Sequence, residues 1–210
     1  MSFNNNFRGL FSMRTADVFT LVRIIAAPVF IFVYFLPQIF GSTPIVNIVS
    51  VCIIVPLILF AEFTDYLDGH YARKHNVVSD FGKLFDPFAD VILHLTTFFC
   101  YTISGYIWPF VILLFVYREF GQLFLRMIAA KKGVAIAARK GGKFKTVLYI
   151  VAGFYSLFLE CCFRCGLELP QFNIWLYCGY GLYIAGLIAS YASFIDYLVH
   201  FLPIIKKDDN

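Results

Sequence analysis

The chain has 210 residues, 60% of them hydrophobic and only 14% charged, and its mean hydropathy is +0.78. A soluble domain carries about a quarter charged residues and less than half apolar ones, so a water-soluble globular protein is excluded and a chain mostly immersed in lipid is expected. The net charge of +4 falls in short stretches between apolar runs, which argues for a membrane surface and against nucleic acid as the partner.

In chain order, residues 1–17 (MSFNNNFRGLFSMRTAD) are expected to form an N-terminal interfacial helix. They lack the basic start, short apolar core and small-residue cleavage site of a removable signal. Phe3, Phe7, Leu10 and Phe11 could face lipid while Arg8 and Arg14 meet headgroups. Six apolar stretches follow, over Val18–Phe40, Ile45–Phe63, Pro87–Ser104, Tyr106–Ile128, Phe144–Phe163 and Ile174–Phe201. Each approaches or exceeds the roughly 20 residues that cross a bilayer as a helix, and all are too long and continuous for barrel strands. Pro37 with Gly41 and Pro44, Gly105, and Gly166 with Pro170 punctuate them. The expected architecture is therefore an all-α integral membrane protein. Six transmembrane helices spanning 18–205 would form one domain around a polar cavity.

Lys and Arg are unevenly shared between the connections. Arg8 and Arg14 precede the first span, Arg73, Lys74 and Lys83 lie between the second and third, and Lys131, Lys132, Arg139, Lys140, Lys143 and Lys145 between the fourth and fifth. Lys206 and Lys207 follow the sixth, whereas the opposite connections hold only Arg164. Positive charge stays on the cytoplasmic side, so both termini and the mouth of the cavity are expected to face the cytoplasm. The six cysteines form no metal-ligand pattern and are expected to be small packing residues.

Chemistry concentrates between the second and third spans, in TDYLDGHYARKHNVVSDFGKLFDPFAD. Asp65 and Asp68 are three apart and Asp86 and Asp90 four apart, so each pair shares one face of a helix. Two such helices joined by a turn near Asn76 would gather four carboxylates, which repel one another and are costly to desolvate. Divalent cations compensate, and an all-carboxylate set suits two hard ions such as Mg²⁺ or Mn²⁺ better than zinc. Metals so held could neutralise a pyrophosphate and favour attack on its phosphorus. Gly69 and Gly82 would let a ligand or a neighbouring helix approach the backbone, and Arg73 would offer a forked donor to phosphate or carboxylate. Asp80 fits neither pair and reads as an N-cap.

The whole pattern, Asp65-x2-Asp68-Gly69-x2-Ala72-Arg73-x8-Gly82-x3-Asp86-x3-Asp90, resembles the signature of the CDP-alcohol phosphotransferase family at every defining position. That resemblance implies transfer of a phosphatidyl group from CDP-diacylglycerol to an alcohol with release of CMP, by a homodimer in the cell inner (cytoplasmic) membrane. It also implies roles. Asp65, Asp68 and Asp86 would be metal ligands, while Asp90 would complete the metal cluster or act as the base on the acceptor hydroxyl. Asp68, Gly69, Ala72, Arg73 and Gly82 would lie along the bound CDP-diacylglycerol.

The acceptor is read from the basic residues beyond. Arg118 and Arg126 are eight apart on the fourth stretch and share a helix face, and an arginine inside an apolar run must face a polar cavity. Arg139, and Lys143 and Lys145 at the opening of the fifth stretch, sit where a helix N-terminus adds partial positive charge. Together these five residues would hold an acceptor's phosphate. Arg118-Glu119, Gly142-Lys143-x-Lys145-Thr146, Lys83-Leu84-Phe85-Asp86-Pro87-Phe88-Ala89-Asp90 and Thr20-x2-Arg23 resemble the bacterial branch of the family that makes phosphatidylglycerophosphate. Two positions depart from it, Asp17 and Val91. The branch implies glycerol 3-phosphate as acceptor. Same-family rivals are a cardiolipin synthase and a phosphatidylinositol-phosphate synthase. Outside the family, a divalent-cation transporter would use intramembrane acids as an ion path, and a scaffold would use none.

Overall fold

A computed structural model of the chain describes the backbone of residues 15–75, 82–132 and 140–207, with the side chains of 20–64, 84–132 and 141–201. Among the described residues the fold is all helical: α1 (Thr15–Tyr34), α2 (Leu36–Phe40), α3 (Pro44–His75), α4 (Gly82–Ile103), α5 (Pro109–Lys131), α6 (Lys140–Arg164) and α7 (Phe172–Lys207). Each of the six apolar stretches falls on helix, with one interruption. The first is broken at Phe35, where the chain steps into the short α2 with a proline in its first turn. Pro37 lacks a donor, and the first turn of a helix is where that donor is not needed. Residues 1–14 of the expected interfacial segment, Asp80, and the turn near Asn76 lie outside the described residues.

Four segments are long and apolar enough to cross a membrane: Thr20–Phe40, Pro44–Thr64, Gly141–Arg164 and Phe172–Phe201. The other two long helices are diluted by charge, Asp86 and Asp90 on α4 and Arg118, Glu119 and Arg126 on α5, and all five residues line an internal cavity. The outer surface is the reverse. Ile45, Phe110 and Phe163 are each about 70% exposed or more, on a scale that suits lipid contact and not water.

The long helices close into a ring in the order α1, α4, α5, α7, α6, α3 and back to α1, and a direct contact of α4 with α6 bridges its middle. Aromatic side chains fill that middle. Phe98 is fully buried and packs edge-on against Tyr183 at 5.0 Å, with Phe115 and Tyr149 at 5.4 and 5.6 Å. Such pairs add roughly 0.5–1.5 kcal/mol each beyond the area they bury.

The two ends of the bundle differ. At one end the chain turns tightly at residues 41–43, 104–108 and 165–171. Gly105 and Gly166 close α4 and α6 with the paired bonds of a Schellman cap. Gly105 N–H donates to Thr102 O and Tyr106 N–H to Tyr101 O, while Gly166 N–H donates to Phe163 O and Leu167 N–H to Cys162 O. Both glycines have positive φ, +83° and +70°, and a Cβ on either would meet nothing within 4 Å. The cost of Gly105→Ala or Gly166→Ala is thus conformational, about 1–2 kcal/mol, and should appear as a lowered thermal midpoint in detergent with unchanged catalysis.

A buried ionic knot ties the same end. Arg164, 5% exposed, donates through Nε to Glu160 (2.7 Å), through one terminal nitrogen to Ser50 Oγ (2.7 Å) and through the other to the Tyr34 carbonyl (2.8 Å). Its guanidinium also lies over the Tyr34 ring. One side chain of α6 thereby holds α3 and caps the last turn of α1, where the break at Phe35 leaves a carbonyl to satisfy. Trp108 and Trp175 lie at this end too, at the level where amphipathic rings favour a membrane interface.

Candidate active site

At the other end, α4, α5 and α6 diverge around a cavity of about 430 Å³, with Tyr197 of α7 on its rim. Asp86, Asp90 and His94 come from α4, at steps of four residues that place them on one face. Arg118, Gln122 and Arg126 come from α5 in the same way, and Gly142, Lys143, Lys145, Thr146 and Tyr149 from the opening turns of α6. Six of the site residues expected from sequence, Asp86, Asp90, Arg118, Arg126, Lys143 and Lys145, therefore line a single cavity. Asp65, Asp68, Gly69, Ala72 and Arg73 lie on the last turns of α3 and Gly82 opens α4, but their side-chain positions are outside those described. Arg139 lies outside the described residues altogether.

The acid wall is backed by α1. Thr20 donates its hydroxyl to Asp86, and Arg23 donates to Asp90 and reaches Asp86 at 3.5 Å. Arg23 is only 1% exposed, whereas the two carboxylates are about two-fifths exposed toward the cavity. One buried guanidinium thus offsets one of two facing negative charges and fixes both carboxylates without covering them. Thr20 and Arg23 entered the sequence reading only as a resemblance. The physical signal was already there: an arginine inside an apolar run needs a polar partner, which applies to Arg23 as well as to Arg118.

The basic wall is organised by a buried carboxylate. Glu119, 3% exposed, accepts hydrogen bonds from Arg118 (2.7 Å), Lys145 (2.5 Å) and Tyr149 (2.8 Å). Arg118 spends a further donor, Nε, on the Ser190 carbonyl of α7 at 2.9 Å. Two of its five donors are thereby committed to the fold, and Lys145 is held by Glu119. Lys143 is exposed at the cavity. Arg126 keeps a buried Nε with no hydrogen-bond partner among the described residues. The helix begins at Lys140, so Lys143 stands in its first turn and Lys145 in its second. The opening of α6 runs close to α7 there: a Cβ on Gly141 would sit in ordinary contact with the Ser193 hydroxyl, at 3.5 Å.

His94 is read from sequence as a helix-packing contact. It makes such a contact, with Nε2 3.4 Å from Glu62 of α3, and it also lines the cavity. Below it the cavity ends on Tyr149, behind which Phe98 and Phe115 are fully buried. Among the described residues no cluster of three or more His, Cys, Asp and Glu forms a metal site, and two of the four carboxylates expected to form one, Asp65 and Asp68, are on side chains not described. The two that are described fit a hard divalent ion in kind: ionisable oxygens, partly exposed, turned toward a polar space.

Residues 13–195 match the family described as CDP-alcohol phosphatidyltransferase. A protein of Treponema pallidum (strain Nichols) named CDP-diacylglycerol–glycerol-3-phosphate 3-phosphatidyltransferase is 36% identical over 200 residues, covering 93% of this chain and 92% of its own. A Mycoplasma genitalium (strain G37) protein of the same name is 32% identical over 208 residues, with coverage of 93% and 87%. A third of that name, from Bacillus subtilis (strain 168), is 32% identical over 140 residues, with coverage of 63% and 70%.

Proposed function

The chain belongs to the CDP-alcohol phosphatidyltransferase family, and from that premise we propose that it transfers a phosphatidyl group from CDP-diacylglycerol to glycerol 3-phosphate. The products are phosphatidylglycerophosphate and CMP, a step of phospholipid biosynthesis. The observation that carries this reading is a single cavity walled on one side by Asp86 and Asp90 and on the other by Arg118, Arg126, Lys143 and Lys145. A reaction joining an anionic acceptor to a metal-borne pyrophosphate needs both walls at once. A choline-, serine- or ethanolamine-type acceptor needs no such density of cations.

The chain's own residues would act as follows. The acceptor's phosphate is held by Arg126 and Lys143, with Arg118 and Lys145 kept in position by Glu119. Its hydroxyl is thereby directed toward Asp90, which lies on the opposite wall and takes the proton as the oxygen attacks the phosphorus that bears diacylglycerol. The bond from that phosphorus to the CMP oxygen breaks, and CMP leaves. Gly69, Ala72, Arg73 and Gly82 would lie along the CDP moiety. The family generally depends on divalent metal, and Asp65, Asp68, Asp86 and Asp90 are the residues that would hold two Mg²⁺ or Mn²⁺ ions. When bound, the metal supplies charge neutralisation for the pyrophosphate and the leaving group.

The membrane setting belongs to the same reading. All six long helices would span the cell's inner membrane as one domain, residues 18–205, with residues 1–17 lying in the interface. The cavity would open to the cytoplasm, on the side where Lys131, Lys132 and Lys143 gather. A homodimer is expected from the family. A cation transporter is disfavoured by the packed aromatic floor of Tyr149, Phe98 and Phe115, where the Tyr149 hydroxyl is already bonded to Glu119.

The test is release of CMP by detergent-purified protein given CDP-diacylglycerol and Mg²⁺ or Mn²⁺, with acceptors supplied one at a time. Glycerol 3-phosphate should trigger release and EDTA should stop it. Release with phosphatidylglycerol or inositol phosphate instead would move the assignment to a cardiolipin or phosphatidylinositol-phosphate synthase. No release with any acceptor from folded protein would overturn the enzyme reading.

A further inference from the structure

Arg118, Gln122 and Arg126 reach the cavity from one face of α5. An anionic ligand accounts for the two arginines. It does not account for Gln122, which is neutral, only 4% exposed, and has neither its amide oxygen nor its amide nitrogen hydrogen-bonded among the described residues. A buried donor and a buried acceptor left without a partner each cost about 1–3 kcal/mol, and a leucine or methionine would fill the same volume without that penalty. Buried polar groups without partners are rare enough in native proteins that each calls for a ligand or another specific reason.

The chemistry of the amide narrows the ligand. Its carbonyl oxygen repels phosphate oxygens, so a phosphate would satisfy only half of the group. A hydroxyl both donates and accepts, and so satisfies the oxygen and the nitrogen of one amide together. Resting on the acceptor class proposed above, we propose that Gln122 is a specificity-determining residue that binds the acceptor's unreacting hydroxyl, the one lying between the phosphate and the hydroxyl that attacks. Glycerol 3-phosphate carries three groups in a row. The cavity answers with cations at Arg126 and Lys143, an amide at Gln122, and a carboxylate across the gap at Asp90. The substrate class is thus a polyol phosphate with a free hydroxyl next to the reacting one, not any alkyl phosphate with a terminal alcohol.

The experiment compares two acceptors on the purified full-length protein, glycerol 3-phosphate and 3-hydroxypropyl phosphate, which lacks only the middle hydroxyl. Wild-type kcat/KM should fall at least about 100-fold for the second, because a site built to bind a hydroxyl strongly rejects the analogue without it. In Gln122→Met that ratio should shrink below about 5-fold, since no amide is left unsatisfied by the missing hydroxyl. KM for CDP-diacylglycerol should be unchanged. Gln122→Asn, with the amide drawn back by one carbon, gives a second reading and should also lower the ratio. A residue that merely supports the fold would depress both acceptors equally and leave the ratio where it was. A wild-type protein that uses both acceptors equally well overturns the proposal, as does a full ratio retained in either folded variant. Wild-type protein inactive with glycerol 3-phosphate defeats the acceptor assignment and this inference with it, and is told apart because no ratio can then be formed.

Discussion

Turnover should fall on the order of 100- to 10,000-fold in Asp86→Asn and in Asp90→Asn, while both proteins remain folded and membrane-inserted. The substitution keeps shape and removes charge. At position 86 the amide oxygen can still accept from Thr20, and Arg23 keeps Asp90 as its partner. Neither carboxylate is buried, but Arg23 is, so Asp86→Asn should leave stability almost unchanged while Asp90→Asn, which weakens the pairing of a buried guanidinium, should lower the melting midpoint. What is lost is the negative charge that faces the cavity, either as a metal ligand or as the base that takes the acceptor's proton. CMP release measures the first quantity, and a symmetric gel-filtration peak with cooperative melting measures the second. Full activity in both variants would remove the acid wall from the reaction. Asp68→Asn extends the test to the α3 pair and should behave alike.

Arg164→Ala should have the largest effect on stability, about 3–5 kcal/mol, because it strands Glu160 as an uncompensated buried charge. Glu160 is only 4% exposed, and the loss also orphans the Tyr34 carbonyl and removes the donor to the Ser50 hydroxyl, which keeps its own bond to the Asn47 carbonyl. Replacing both members together, as Arg164→Met with Glu160→Met, should recover much of that loss, since a buried pair exchanged for apolar side chains of similar size is often near neutral. Thermal midpoints of the two single variants and the double variant in detergent give the comparison. A double variant no more stable than Arg164→Ala would mean that the knot serves chiefly to satisfy Tyr34 and Ser50 and not to neutralise Glu160. KM for either substrate should not respond, because none of these residues lines the cavity.

Much of this architecture was legible before any coordinates. Apolar length alone located all six long helices, because a bilayer span has a fixed length and backbone groups in lipid must pair within the helix. Helical spacing also brought Asp86 and Asp90, and Arg118 and Arg126, to the faces that meet at the cavity. What stayed hidden depends on contacts between helices. Glu119 follows Arg118 in sequence, yet its partner Lys145 is 26 residues away. The sequence reading therefore gave Lys145 wholly to a phosphate, although Glu119 already engages it. Arg23 reaches Asp90 across 67 residues, and no periodicity within α1 reveals that. Gln122 was passed over because an isolated glutamine in an apolar run carries no pattern; only the lack of partners for its buried amide makes it informative. Pro37 signalled a boundary near the end of Val18–Phe40, but apolarity sets membrane immersion and not helical continuity, so the break at Phe35 within the stretch was not separated from its end.

The contrast between the two ends of the bundle has a mechanical consequence. Short glycine-capped turns and the Arg164 knot clasp one end, and the cavity end holds its helices by facing charges across a polar space. A body built this way would yield first at its open end, as a pair of tongs does. Pivoting a 23-residue helix such as α5 by roughly 5° about the clasped end parts its far tip by about 3 Å, given a rise of about 1.5 Å per residue. That is about the width of one water molecule. The stiffness of one end thereby sets how finely the jaws at the other can be opened to a lipid substrate and closed on it.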